Sequence, residues 1–203
     1  MPNEIQTIAV IGAGEQGREM ALAALLGGYR TILEDVSENR LKRAAAWIAG
    51  GANVGAEARS RLVLANDIEE AVREADFIVE AVADEMEMKI EMFTIFDKFA
   101  KPDAIFASRS PSLSIADLAA VTFCPERCIG LRFVPSRNVA QPVAQGGVPA
   151  ALRLVGMCGK EGALELVRAP QTSDETVARC REVGRRMGKE VIVVAEREFT
   201  ESR

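Results

Sequence analysis

The chain has 203 residues, of which 48% are hydrophobic and 27% are charged, and its formal net charge is -5. That length is enough for one large domain with a buried core. The net negative charge does not indicate a basic surface for binding nucleic acid. No apolar run reaches the length of a membrane span, so we expect neither nucleic acid nor a membrane among the partners.

The chain contains four cysteines and no histidine. The cysteines lack the spacing of metal ligands, so we expect no metal site, and Cys180 falls within a helical pattern as a small buried hydrophobe. This cysteine usage predicts a reduced, cytoplasmic protein. The first apolar run, Ile5 to Ile11, is broken by polar residues, which favours a strand over a signal peptide.

The first recognisable element is an apolar strand, Ile8 to Ile11, that leads into the pattern G-x-G-x-x-G and a helix-forming run. In a dinucleotide-binding fold, Gly12 makes the tight turn, Gly14 lets the backbone approach a pyrophosphate, and Gly17 lets helix and strand pack closely. The N–H groups at the helix N-terminus suit phosphate oxygens. The predicted cofactor loop therefore contains Gly12, Gly14, Glu15, Gln16 and Gly17.

A second strand, Arg30 to Glu34, ends in Asp35, about 20 residues after the glycines. A carboxylate at that spacing meets the ribose hydroxyls of a dinucleotide and repels the 2′-phosphate of NADP, so the predicted cofactor is NAD. In the alternative interpretation, Asp35 only caps the next helix. Ser37 is a further candidate for that N-cap.

The middle of the chain contains one clear strand and one clear helix. Asp76 to Val82 is apolar at successive positions, which is typical of a parallel strand covered on both faces. Glu85 to Ala100 has helical periodicity with one apolar side, which we assign to the core. Before them, Arg61 to Ala65 predicts a short strand, whereas Ala52 to Ser60 has no clear pattern.

Later segments continue the alternation of strands and helices, and Thr172 with Glu175 resembles a capping box. The further predicted strands are Ala104 to Ser108, Cys128 to Phe133, Leu164 to Val167 and Val191 to Val194. This alternation predicts an α/β fold with a doubly wound, Rossmann-type, mostly parallel sheet in a single domain. We expect that domain at 1–195, with an irregular insertion at about 136–163 and a charged, frayed tail at 196–203.

Several motifs together resemble one protein family. They are Ile8 to Gly17, Leu33 to Asp35, Ala75 to Val82 followed by Lys89, Ser112 to Ile115, Pro125 to Leu131, and Thr172 to Lys189. On these motifs the chain resembles the N-terminal, NAD-binding domain of the 3-hydroxyacyl-CoA dehydrogenase family, which includes 3-hydroxybutyryl-CoA dehydrogenases. The resemblance implies hydride transfer between NAD and the C3 carbon of an acyl-CoA-like substrate. The further predicted cofactor residues are Ala81, Val82, Lys89, where the family commonly has a lysine that assists CoA binding, and Arg109.

The catalytic residues that the resemblance implies are altered in this chain. The family uses a histidine in the segment G-L-H-F, a glutamate in L-V-E that orients it, and polar residues of an N-T-S-S turn. Arg132 stands in the first segment and Arg168 in the second, so we expect two cations in place of the pair. A guanidinium stays protonated at ordinary pH, so Arg132 cannot exchange a proton as imidazole does.

The candidate catalytic residues are Arg132, Ser110, Ser112 and Asp84, the last standing where the family commonly has a glutamate. In one hypothesis the chain is an oxidoreductase in which Arg132, Arg168 and Arg109 bind an anionic substrate. In the other it is a catalytically inactive dinucleotide-binding or interaction module, or a subunit completed by a separate helical chain. The family continues into an all-helical second domain, and without it exposed apolar surface predicts a homodimer.

Overall fold

The computed structural model describes residues 4–51, 54–110, 113–135 and 162–196. Within these residues, eight strands form one sheet in the order β3-β2-β1-β4-β5-β6-β7-β8. The strands are β1 (Thr7–Ile11), β2 (Arg30–Glu34), β3 (Leu62–Ala65), β4 (Phe77–Glu80), β5 (Ile105–Ser108), β6 (Cys128–Pro135), β7 (Gly162–Arg168) and β8 (Glu190–Ala195). The helices are α1 (Glu15–Leu26), α2 (Glu38–Ala49), α3 (Ala56–Ser60), α4 (Ile68–Glu74), α5 (Met86–Phe99), α6 (Ile115–Ala119) and α7 (Asp174–Arg186).

The first six strands run parallel in the order that is typical of a doubly wound nucleotide-binding sheet. The expected Rossmann-type, mostly parallel α/β fold is therefore confirmed. The departure is β7, which pairs antiparallel with β6, while β8 runs parallel to β7. Strands β1, β2, β4 and β5 end together at one edge of the sheet, which we call the carboxyl edge.

The core lies in two layers, one on each face of the sheet. Helices α1, α2 and α7 cover the first face, and α4, α5 and α6 cover the second. On the second face Phe93, Phe96 and Phe106 form an aromatic cluster with ring centroids 5.6–6.3 Å apart. The predicted apolar side of α5 is therefore core, and Cys180 of α7 is buried on the first face, where burial raises the pKa of its thiol to about 12.

Two local predictions differ from the structure. The segment without a clear pattern contains the one-turn helix α3. Helix α7 is capped by Ser173, whose Oγ accepts a hydrogen bond from the N–H of Thr176 at 3.1 Å. The predicted cap, Thr172, instead donates its hydroxyl hydrogen to the carbonyl of Cys128 at 2.7 Å. The capping signal was thus one residue away from the true N-cap.

The end of the described chain is tied to the sheet's second face. The carboxylate of Glu196 accepts hydrogen bonds from the backbone N–H groups of Ile115 and Ala116, at the start of α6. Glu196 was expected to begin a frayed tail, and this contact holds it in place instead. Residues 197–203 lie outside the described residues, as do residues 136–161 of the predicted insertion, whereas Gly162 and Ala163 already belong to β7.

Neither a membrane span nor a metal cluster is found in the described part of the chain. No helix there is long and apolar enough to cross a bilayer. No group of three or more cysteine or acidic side chains there is arranged to hold a metal ion.

Candidate functional site

The loop after β1 needs glycine at two positions for steric reasons. Gly12 has a φ of +103°, and a Cβ there would lie 2.8 Å from the carbonyl oxygen of Ala81. A Cβ on Gly17 would lie only 1.7 Å from the carbonyl oxygen of Gly12. The N–H of Ala81 donates to the Ile11 carbonyl at 2.8 Å, so β1, its loop and the end of β4 form one closely packed unit.

Gly14 is the open position of the same loop. A Cβ built on Gly14 meets no atom within 4 Å, and Gly14 is the N-cap of α1 without a side-chain hydrogen bond to the helix. The first N–H groups of α1 therefore remain available to an anion, which the helix dipole also attracts. The side chains of Glu15 and Gln16 are exposed beside this opening.

Asp35 ties the end of β2 to the glycine loop. Its buried carboxylate accepts hydrogen bonds from the N–H of Ala13 at 2.9 Å and from the N–H of Ser37 at 2.8 Å. The Nε of Arg40 lies 3.2 Å from the same carboxylate. Ser37 is the N-cap of α2, so Asp35 is not merely that cap. A carboxylate at this place in a dinucleotide-binding fold suits the hydroxyls of a ribose.

A buried ion pair lies under the carboxyl ends of β4 and β5. The ammonium of Lys89, which is 1% exposed, lies 2.7 and 2.6 Å from the two carboxylate oxygens of Glu80, which is 0% exposed. Ser108 donates to the same carboxylate at 2.6 Å, and so does the N–H of Val82 at 2.7 Å. Because a charge buried in the interior needs such partners, Lys89 fixes the loop after β4 rather than standing free in the cleft.

Two of the candidate catalytic residues meet beside this pair. Ser110 donates to the carboxylate of Asp84 at 2.6 Å and accepts from the N–H of Leu113 at 2.8 Å. The ammonium of Lys89 lies 3.7 Å from Asp84. The structure therefore brings Ser110, Asp84 and Lys89 together, whereas the candidate Ser112 lies outside the described residues.

Arg109 links the end of β5 to the glycine loop. Its Nη1 donates to the carbonyl of Gln16 at 2.6 Å, and its guanidinium lies over the ring of Phe133, 4.8 Å from the centroid. Glu19 of α1 is buried in the same region, and burial raises the pKa of its carboxyl, with Arg109 opposing that shift. The cation therefore reaches the loop where a dinucleotide pyrophosphate would bind.

Arg132 pairs with an acidic residue across the β6–β7 hairpin. In the antiparallel register Arg132 lies directly opposite Glu165, and its Nη2 is 2.6 Å from the Glu165 carboxylate. Both side chains are partly buried, with exposed fractions of 35% and 18%. Since β5 pairs with β6 only as far as Gly130, this ion pair stands just beyond the carboxyl edge.

Arg168 does not join Arg132. Residues opposite each other share a face of the sheet and successive residues alternate, so Arg168 lies on the other face from Arg132 and Glu165. Its guanidinium contacts Asp174 at 2.6 Å and the carbonyl of Thr172 at 3.1 Å, near the start of α7. The expectation of two neighbouring cations is thus corrected, because the hairpin register puts a glutamate opposite position 132.

Glu80 and Glu165 are the site residues that the sequence analysis did not single out. Glu80 ends a buried apolar strand, and Glu165 stands between the buried Leu164 and Leu166. A charged residue in such a run needs a partner, and that signal was present in the sequence. The identity of each partner was not, because it depends on the folding of α5 against β4 and on the register of the hairpin.

Comparison with known proteins identifies the fold and the cofactor. Residues 7–141 match the family model of the 3-hydroxyacyl-CoA dehydrogenase NAD-binding domain, which confirms NAD as the expected cofactor. A 3-hydroxybutyryl-CoA dehydrogenase of Bradyrhizobium diazoefficiens is 32% identical over 200 residues, and a probable 3-hydroxybutyryl-CoA dehydrogenase of Bacillus subtilis is 33% identical over 202 residues. These matches cover 93% and 94% of the chain.

A solved structure gives the same result in three dimensions. The (S)-3-hydroxybutyryl-CoA dehydrogenase of Ralstonia eutropha superposes with a TM-score of 0.78 at 25% identity and covers 96% of the chain. The chain spans 61% and 63% of the length of the two sequence relatives and 65% of this structure. The similarity therefore includes nearly all of this chain but only about two thirds of each relative.

Proposed function

Since the chain belongs to the 3-hydroxyacyl-CoA dehydrogenase family through its NAD-binding domain, we propose that it is an oxidoreductase that transfers a hydride between NAD and a 3-hydroxyacyl substrate. The observation that carries this proposal is the glycine loop, whose open helix N-terminus lies beside the carboxylate of Asp35. Together these groups suit the pyrophosphate and the ribose of NAD.

The residues around the loop would hold NAD by complementary roles. Gly14 would leave room for the pyrophosphate, and Asp35 would accept hydrogen bonds from ribose hydroxyls. Ala81 and Val82 are half-buried next to Gly12 and form the facing wall, while the Arg109 cation adds attraction for negative charge. Bound NAD supplies the hydride chemistry, and the protein supplies placement, charge and the exclusion of water.

The chemistry of Arg132 determines whether the side chain at this position can take up the proton that the reaction releases. Its guanidinium stays protonated and is held by Glu165 at 2.6 Å, so it stabilises negative charge on a substrate oxygen but does not exchange a proton. We therefore expect slow turnover on 3-hydroxyacyl-CoA, with water taking the proton. Ser110 and Asp84, which are hydrogen-bonded to each other at 2.6 Å, are the further polar groups that would contact the substrate.

The test replaces the arginine by the residue type that the family uses. Binding is first established by titrating NADH against protein fluorescence, and turnover of 3-hydroxybutyryl-CoA with NAD is then followed by NADH absorbance. Arg132→His puts an imidazole opposite Glu165, and we expect kcat to rise about a hundredfold or more over wild type. Arg132→Gln, which removes the cation without supplying a base, is the matched control and should show no rise. Equal rates for the two variants would contradict the proposed role of position 132.

A second candidate function is a dinucleotide-binding domain that does not turn over substrate. The Arg132–Glu165 ion pair favours it, because both groups are engaged with each other where the family has its catalytic histidine. This candidate predicts NADH binding without NADH production in wild type and in Arg132→His alike. Copurification of a second polypeptide that restores activity would instead identify a subunit completed by another chain.

The homodimer and the cytoplasmic location are part of the same proposal. The β6–β7 hairpin extends past β5 at the carboxyl edge, where a second copy would complete the substrate cleft. Light scattering over a range of concentrations measures the mass of the particle and therefore tests the homodimer. A mass that stays at that of one chain at high concentration would argue against the dimer.

A further inference from the structure

Glu34 is an acidic residue at the floor of the proposed NAD cleft, and it has no part in the proposed binding of NAD or of the substrate. It is the last residue of β2, immediately before Asp35, and its backbone carbonyl accepts the N–H of Gly12 at 2.8 Å. In the sheet it lies between Ile11 of β1 and Ala65 of β3. Its side chain is therefore on the face covered by α4, next to the turn that would receive NAD.

Glu34 is a mostly buried residue at the carboxyl edge of the sheet. Only 4% of the residue is exposed, and the described part of the chain offers its carboxyl neither a hydrogen bond nor an ion pair. The charged groups nearest to it are acidic, namely Asp35 on the same strand and Asp67 at the N-cap of α4. The nearby cation of Arg40 contacts Asp35, and Lys89 is occupied by Glu80, two strands away.

This environment disfavours the ionised form of Glu34. Burial, together with the negative charges of Asp35 and Asp67, raises the pKa of Glu34 to about 7. The carboxyl is thus divided between its neutral and its ionised form near neutral pH. A ligand that adds negative charge or removes the remaining water from this edge would favour the neutral form.

We propose that Glu34 couples NAD binding to proton uptake. The neutral carboxyl permits the adenosine end of NAD to cover the carboxyl edge of the sheet, whereas the ionised carboxyl opposes it. This inference rests on the proposed NAD cleft. The pyrophosphate brings negative charge to the start of α1, and the adenosine displaces water above β2, so both act on Glu34 in the same sense. The proton comes from the solvent and is released when NAD leaves.

Calorimetry of NADH binding in two buffers of different ionisation enthalpy measures the protons taken up. For wild type we expect uptake approaching one proton per NADH at about pH 8 and falling close to zero at about pH 6. The affinity should accordingly weaken by up to about tenfold for each pH unit above about 7. NADH that binds with the same heat in both buffers at every pH would overturn the inference while leaving the NAD cleft intact.

Two variants assign the proton to this residue. Glu34→Gln keeps the size and stays neutral, so it should bind NADH with an affinity that does not change with pH and with no proton uptake. Glu70→Gln, which removes an exposed carboxyl on the neighbouring α4, should behave as wild type. Proton uptake that persists in Glu34→Gln would overturn the assignment. A failure of wild type to bind NADH at any pH would instead count against the proposed function itself.

Discussion

A methyl group added to the glycine loop should act differently at Gly17 and at Gly14. At Gly17 it would lie 1.7 Å from a backbone oxygen, so Gly17→Ala should lower the free energy of unfolding by about 1–3 kcal/mol or more. At Gly14 it meets no protein atom within 4 Å, so Gly14→Ala should leave the unfolding free energy within about 0.5 kcal/mol.

The two glycine variants are separated by measuring stability and binding on the same samples. Urea unfolding gives the free energy, and NADH titration gives the affinity. Gly14→Ala should fold normally yet bind NADH about tenfold or more weakly, because its Cβ occupies the space that the pyrophosphate needs. Normal NADH affinity in Gly14→Ala would show that the pyrophosphate does not lie against this residue.

The buried ion pair gives a second prediction at the residue scale. Lys89→Gln leaves the Glu80 carboxylate charged in the interior, which should cost roughly 3–5 kcal/mol of unfolding free energy. Lys42→Gln breaks the pair with Glu38, also in a helix but with side chains 72% and 69% exposed, and should cost under about 1 kcal/mol. Equal losses in urea unfolding would mean that burial does not determine the strength of the Glu80–Lys89 pair.

The sequence predicted those site residues whose roles depend on nearby sequence. Gly12 and Gly17 are required by a single turn between a strand and a helix, and Gly14 lies in the same turn. Asp35 follows at a fixed distance because one βαβ unit has a nearly constant length. Glu165 was not recognised because its partner is chosen by strand register, and a change of register by a single residue would turn a different face toward Arg132.

At the scale of elements, Glu196 should stabilise α6 from outside that helix. Its carboxylate accepts two backbone N–H groups at the helix start, so Glu196→Gln weakens charge-assisted hydrogen bonds. We expect a loss of about 1 kcal/mol in unfolding free energy, measured in urea. Glu182→Gln removes an exposed carboxylate on α7 and is the control that should change little. No difference between the two variants would show that Glu196 contributes nothing to α6.

Most elements were predictable because their patterns are local. Strand β4 is buried along its whole length and α5 has one apolar side, and both follow directly from the order of apolar residues. The direction of β7 was not predictable in this way. A buried strand has the same apolar pattern whether its neighbour runs parallel or antiparallel, so the direction had to come from the three-dimensional pairing.

At the scale of the whole molecule, two carboxyl groups should make the free energy of unfolding depend on pH in opposite directions. Burial by itself would raise the pKa of Asp76, but hydrogen bonds from Lys101 and from the N–H groups of Thr7 and Gln6 together outweigh it and lower the pKa. Its contribution is therefore lost as the pH falls through that lowered pKa. Glu34 has a raised pKa of about 7, so its contribution is complete below the ordinary value of 4.5 and is lost as the pH rises through about 7.

The comparison of wild type with Glu34→Gln isolates the second effect. Between about pH 5 and pH 8, the unfolding free energy of wild type should fall relative to that of the variant, because only wild type must carry a buried charge at the higher pH. Urea unfolding at several pH values in this range measures the difference. A difference that does not change with pH would mean that Glu34 has the same pKa in the folded and the unfolded chain.

The β6–β7 hairpin makes the chain leave and re-enter the sheet at a single point. Pro135 and Gly162 are cross-strand partners, and five further pairs between β6 and β7 fix the register. Closing a connection whose ends already meet costs little extra entropy as it lengthens, about 0.6 kcal/mol for each doubling. The position between Pro135 and Gly162 is therefore a natural splice point, where the connecting segment can be exchanged for a longer or shorter one while Arg132, Glu165 and the strands of the NAD cleft keep their alignment.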